Sequence, residues 1–152
     1  MSTILNVRKG EEHDLQGLAR LFDDYRIFYR QEPNLPAATR FVQTRLQAQD
    51  SIFFVAEAEG KLRGFTQLYP SWTSVGMARI WILNDLFVAE SVRKQGCAEL
   101  LMQQAVHFAR STGAKRLVLQ TAKDNFPAQA LYEKLGWKRS DGFFEYQREL
   151  SE

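Results

Sequence analysis

Leu86-Phe87-Val88-Ala89-Glu90-Ser91-Val92-Arg93-Lys94-Gln95-Gly96-Cys97-Ala98 carries an apolar strand through a short polar loop into a helix. The first backbone N–H groups of a helix lack acceptors inside it and carry partial positive charge. A loop that leads into them makes an anion site suited to phosphate. Gly96 has no Cβ to hold a bulky pyrophosphate away from the backbone, and Ala98 is small for the same reason. Arg93 and Lys94 add side-chain charge, while Gln95 and Cys97 fill the remaining loop positions. Two other phosphate loops fail the comparison. A Walker-type loop needs two glycines around four residues, then Lys and Ser or Thr. A dinucleotide loop needs three glycines, and this one has a single glycine.

Working outward, the helix opened by Gly96 runs to Thr112, with Gly113 placed for a left-handed cap. Ala98, Leu101, Ala105, Phe108, Ala109 and Thr112 form its inner face. Arg116 to Thr121 reads as a strand, so strand, helix and strand make a right-handed crossover with parallel strands. Before the loop, Met77 to Val88 is a long strand preceded by a Pro70 to Gly76 loop. Ser51 to Ala58 and Lys61 to Tyr69 form a hairpin about Glu59-Gly60. Ile4 to Lys9 is a first strand. Helices are expected at Asp14 to Tyr29 and Ala37 to Gln49, separated by Pro33 and Pro36. A short helix begins near Pro127 and ends at Gly136, and Phe143 to Leu150 is a closing strand. The expected fold is α/β: a mixed, mostly antiparallel twisted sheet with a central parallel pair, flanked by these helices, in one domain over residues 1–152.

Composition narrows the function classes. The chain has 152 residues, 45% hydrophobic and 25% charged, an ordinary globular mix. Twenty basic residues balance eighteen acidic ones to a net charge of +2, and the basic residues are scattered, which argues against nucleic acid. No run reaches about 18 apolar residues, so no membrane span is expected. Met1 to Arg8 lacks the features of a signal peptide. Cys97 is the single cysteine, which fits a reducing cytoplasm. With His13 and His107 far apart, no metal cluster is expected.

Arg93-x-x-Gly96-x-Ala98 resembles the coenzyme A pyrophosphate signature of the GNAT superfamily of N-acetyltransferases. Asn125-x-x-Ala128-x-x-Leu131-Tyr132-Glu133-Lys134-Leu135-Gly136-Trp137 resembles that superfamily's second cofactor motif. Leu83-Asn84-Asp85-Leu86-Phe87-Val88 and Phe22-Asp23-Asp24-Tyr25-Arg26-Ile27-Phe28-Tyr29 are similar to the histone/polyamine and diamine acetyltransferase branch. The resemblance implies a GNAT-like fold, acetyl-CoA as co-substrate without a metal, and a small-molecule amine acceptor. A polyamine or diamine is expected, with a protein lysine as the alternative. A non-catalytic coenzyme A-binding regulator is the reading from another class. Homodimers are frequent among such proteins, so a homodimer is possible here.

By the same resemblance, the backbone of Leu86, Phe87 and Val88 would pair with the pantetheine arm, and one N–H would face the thioester oxygen. Tyr132 matches the general acid that protonates the leaving thiolate. It lies about 100° around its helix from Leu131, away from the stripe of Ala128, Leu131 and Leu135. Asn125 either contacts the cofactor or caps its helix. An alkylamine with a pKa of about 10.4 must lose a proton before attack. Asp85, on the strand beside the thioester, is the side-chain candidate to take it; the alternatives are water relays to solvent and a purely structural Asp85. The diamine enzymes carry Glu where this chain has Asn84, and strand alternation sets Asn84 and Asp85 on opposite faces. Cys97 has no neighbouring histidine to activate it, which argues against an acetylated cysteine. Asp23, Asp24 and Glu32, with Tyr25, Phe28, Tyr29 and Trp72 as aromatic walls, are the expected surroundings of the acceptor.

Overall fold

In the computed structural model, residues 4–151 are described; Met1 to Thr3, part of the stretch read for a signal peptide, and Glu152 lie outside them. The chain divides into two compact units, one running to Gln120 and the other beginning at Thr121.

The first unit is built on five strands in spatial order of sequence: β1 (Asn6–Lys9), β2 (Ile52–Ala58), β3 (Lys61–Thr73), β4 (Ala78–Val88) and β5 (Arg116–Val118). β1 through β4 are antiparallel neighbours, and β4 pairs with β5 in parallel. The parallel pair follows from α3 (Cys97–Ser111), which returns the chain along the sheet. α1 (Leu15–Phe28) and α2 (Leu35–Ala48) bury Leu18, Leu21 and Val42 against Phe53, Val55 and Phe65. Each such side chain contributes about 1.5–3 kcal/mol when removed from water. Phe54 and Trp81 lie together on the other face of the sheet and meet Phe108 of α3 at 5.4 and 5.0 Å.

Several boundaries differ from the sequence reading. Pro36 lies inside the first turn of α2, where a missing N–H costs nothing, and the Asn34 side chain caps that turn at Ala37 N–H, 3.2 Å away. β3 continues through Pro70 to Thr73. This is tolerated because β2 ends opposite Leu68, so Pro70 has a strand neighbour on one side only.

The second unit contains α4 (Phe126–Lys134). The strand expected from Phe143 to Leu150 is not formed. Its alternating pattern suits a sheet, but among the described residues of its own unit it has no second strand to pair with.

Candidate active site

β4 does three things at its C-terminal end. First, it parts from β5. The parallel ladder holds only Ile80–Ile82 against Arg116–Val118, so Leu83–Val88 have β3 alone as a strand neighbour among the described residues. The direction of the backbone groups follows from one bond. Ala89 N–H reaches the Arg63 carbonyl at 2.7 Å, so Ala89 faces β3. By alternation Phe87 also faces β3, while the N–H and C=O of Leu86 and Val88 face the open side.

Second, β4 carries a bulge. Gln67 pairs with Asp85 and Leu68 with Leu83, which leaves Asn84 as the extra residue. The bulge breaks the alternation expected at this point. Asn84 is exposed and Asp85 is buried, yet the Asn84 amide donates to Asp85 Oδ2 at 3.1 Å. Burial pushes the Asp85 carboxyl above the usual carboxylate range, opposed by hydrogen bonds from Asn84 and the Tyr25 hydroxyl. The Asp85 carbonyl accepts from the Thr66 hydroxyl at 2.7 Å, which pins the backbone beside the bulge.

Third, β4 hands the chain to the loop. Arg93 Nε donates to the Val88 carbonyl at 3.0 Å, and its guanidinium lies 5.7 Å from the ring centres of both Phe28 and Phe87. Gln95 Nε2 donates to the Ser91 carbonyl at 3.3 Å, so the loop is braced from inside. Lys94 and Gly96 both take left-handed backbone angles, with φ of 64° and 80°. A Cβ on Gly96 would meet no heavy atom within 4 Å, so the space over this turn is open to a ligand. The first intrahelical bond of α3 runs from Leu100 N–H to the Gly96 carbonyl at 3.0 Å. The N–H groups of Cys97 and Ala98 precede it and have no acceptor within the helix. The loop fits a pyrophosphate.

Cys97 is sealed. It is 2% exposed, and burial pushes its thiol up to about 11, so it supplies no thiolate at neutral pH. Its neighbour Gly64 was not singled out in the sequence. A Cβ there would stand 3.1 Å from Cys97 Sγ, 3.1 Å from the Phe87 carbonyl and 3.3 Å from Leu101. A lone glycine in a strand pattern was the available signal.

The expected acceptor surroundings change in part. Asp23 is buried and committed: it pairs with Arg26 at 2.7 Å and accepts Asn34 N–H at 3.1 Å, which ties α1 to the start of α2. It does not attract a cation, whereas Asp24 and Glu32 are exposed. Trp72 lies in β3 under the Arg79 guanidinium, 4.1 Å from its ring centre. Tyr25 packs on Phe65, Phe87 and Tyr29.

Asn125 and Tyr132 belong to the second unit. Asn125 Oδ1 accepts Ala128 N–H at 3.3 Å and so caps α4. Tyr132 is half-buried, as are Ala128, Leu131 and Leu135. Its carbonyl accepts Trp137 N–H at 2.9 Å, which closes the helix end.

Residues 15–137 match the Acetyltransferase (GNAT) family. An uncharacterized N-acetyltransferase of Bacillus subtilis, YhfO, is 43% identical over 93% of this chain and 95% of its own length. A probable acetyltransferase of known crystal structure superposes with a TM-score of 0.91 at 37% identity, covering 97% of this chain and 99% of that one. The fold is shared, with a TM-score of 0.81 at 18% identity, by an aminoglycoside N-acetyltransferase solved in complex with CoA; the match covers 97% of each chain. The family uses acetyl-coenzyme A, and the open β4 edge beside the α3 turn agrees with that chemistry. The chain belongs to the Acetyltransferase (GNAT) family and is an N-acetyltransferase.

Proposed function

We propose that the protein transfers acetyl directly from acetyl-coenzyme A to a primary amine of a small polyamine- or diamine-like metabolite. The observation that carries this reading is the edge of Leu86 to Val88, which has no second strand beside it among the described residues and ends beside the open helix start at Gly96. The Leu86 carbonyl and the Val88 N–H would bond the pantetheine amides, while the Val88 carbonyl is held by Arg93 Nε. The Leu86 N–H is the proposed donor to the thioester oxygen, where negative charge grows during attack. The loop from Arg93 through Lys94, Gln95, Gly96, Cys97 and Ala98 would take the pyrophosphate.

The acceptor nitrogen forms a bond to the carbonyl carbon as the carbon–sulfur bond breaks. The amine proton passes to Asp85, directly or through water, and Tyr132 protonates the departing thiolate. The sealed Cys97 thiol supports transfer without a covalent enzyme intermediate. Asn125 serves this reading by capping the helix that carries Tyr132. A small cationic acceptor is supported by the exposed Asp24 and Glu32 near the aromatic residues of α1. The family match runs through both units, which supports one catalytic domain. A cytoplasmic location is proposed on the single cysteine, and a possible homodimer on the frequency of dimers in the superfamily.

The test is thiol release from acetyl-coenzyme A with a panel of polyamines, diamines, free lysine and basic peptides. Selective turnover of polyamines or diamines supports the reading. Preference for peptides identifies a protein lysine acetyltransferase. Coenzyme A binding with no turnover across the panel identifies a regulator.

A further inference from the structure

We propose that Thr66 is a positioning residue for the Leu86 N–H, because its hydroxyl holds the other end of the same peptide beside the β4 bulge. The inference rests on the reading of that N–H as the donor to the thioester oxygen. The Thr66 hydroxyl donates to the Asp85 carbonyl at 2.7 Å, and Thr66 is 0% exposed. The Asp85 carbonyl and the Leu86 N–H belong to one trans peptide, whose atoms lie in a plane. The two groups therefore point in opposite directions. A donor on β3 that grips the carbonyl aims the N–H at the open side of β4, where the ladder to β5 has already ended.

In a regular stretch of sheet the ladder on both sides would fix each peptide. Here both supports are weakened. Asn84 is the extra residue between the Gln67–Asp85 and Leu68–Leu83 pairs, so the ladder to β3 is disrupted next to this peptide. The ladder to β5 stops at Ile82. The hydroxyl supplies a restraint at this point, and its own direction is set by the sheet. Thr66 lies in the middle strand of the five, opposite Phe54 of β2 and Leu86 of β4. Its β-branched side chain has few allowed rotamers there. A fully buried hydroxyl is costly unless it is bonded, and this one bonds the backbone of the proposed site. A hydrogen bond on the carbonyl also polarises the amide, which makes its N–H a stronger donor. Aim matters because an oxyanion donor works at about 2.7–3.1 Å from where the charged oxygen forms.

Thr66→Val keeps the branch at Cβ and removes the hydroxyl, while Thr66→Ser keeps the hydroxyl. The readout is the carbonyl stretch of bound acetyl-coenzyme A, isotope-labelled at the thioester carbonyl and recorded by infrared difference spectroscopy without amine. In the parent, the N–H should polarise this carbonyl and lower its frequency below that of free acetyl-coenzyme A. Thr66→Val is expected to return the frequency toward the free value. It should lower kcat by about tenfold, short of the 10²–10³ lost with a whole oxyanion donor, because the N–H is displaced rather than removed. Both substrates are held at saturation for kcat, with spermidine as the first amine. Coenzyme A, which lacks the thioester, should bind as it does to the parent. Thr66→Ser should keep the lowered frequency and most of kcat. A folded Thr66→Val with the parent's frequency overturns the inference. So does a Thr66→Ser as impaired as Thr66→Val, since the hydroxyl is then not the group that acts. The reading of Leu86 is checked separately in the parent by NMR: its amide proton should move when acetyl-coenzyme A replaces coenzyme A. An unmoved proton ends that reading, and this inference with it. If Thr66→Val does not fold, Thr66→Cys is measured in its place, with a thiol that donates only weakly. A raised frequency there supports the inference, and an unchanged one overturns it.

Discussion

Gly96→Glu separates what the helix start does for stability from what it does for the ligand. The substitution places a side chain at φ 80°, where a Cβ costs about 1–2 kcal/mol. No steric cost adds to this, since nothing stands within 4 Å of the new Cβ. The carboxylate also sits at the positive end of α3, which returns about 0.3–1 kcal/mol. The net loss is about 1 kcal/mol, a fall in Tm of about 2–4 °C for a chain of this size. The effect on coenzyme A is larger and has one sign. A carboxylate about 4 Å from a pyrophosphate charge is opposed by up to about 4 kcal/mol at an effective dielectric of 20. A penalty near 3 kcal/mol corresponds to roughly a hundredfold rise in Kd. Gly96→Ala, which pays the backbone cost without the charge, is the control. Calorimetry with coenzyme A gives the affinities. Thermal unfolding with and without ligand gives a second reading, since ligand at 100 times Kd stabilises by about 2.7 kcal/mol. If Gly96→Glu folds and binds coenzyme A as the parent does, the pyrophosphate does not lie over this turn.

Asp85→Asn should lower kcat at neutral pH far more than at high pH, where the amine loses its proton unaided. Because burial raises this carboxyl, the parent's acid limb should lie above the ordinary carboxylate range and activity should fall as pH drops through it; equal loss at every pH would make Asp85 structural. Tyr132→Phe should leave coenzyme A binding intact and reduce kcat by about 10²-fold, the low end for a general acid, because a thiolate leaves fairly well unprotonated. A kcat within twofold of the parent, measured at saturation of both substrates, would make Tyr132 a packing residue. Cys97, with its thiol raised to about 11, should resist alkylation at neutral pH in the native protein and react after denaturation. Rapid native labelling would show that α3 opens at its first turn.

Local signals were sufficient where the physics is local. The Gly96 turn, the Glu59-Gly60 hairpin and the apolar faces of α1 and α3 each depend on neighbours within a few residues. Those features were legible from glycine placement and period. The helix start after Gly96 was equally legible, and its consecutive N–H groups are the basis of the phosphate site proposed there. Pro70 misled, since a proline in a strand is read as a stop unless the neighbouring strand is known to end first.

What the tertiary structure decided is what needs two strands or two elements at once. The bulge at Asn84 exists only as a mismatch of register between β3 and β4, and no residue in the run announces it. The outward direction of Leu86 and Val88 depends on which bonds β3 takes and on where β5 stops. Asp23 looked like a free charge until the turn between α1 and α2 brought Arg26 and the Asn34 N–H onto it. Tyr25 is forty residues from Phe65 and sixty-two from Phe87, and its ring meets theirs only when α1 packs on the sheet. The sequence by itself determined most of the elements, the glycine turn before α3 and the family. Register, burial and the choice of hydrogen-bond partner are properties of pairs of distant segments, so only the folded chain settles them.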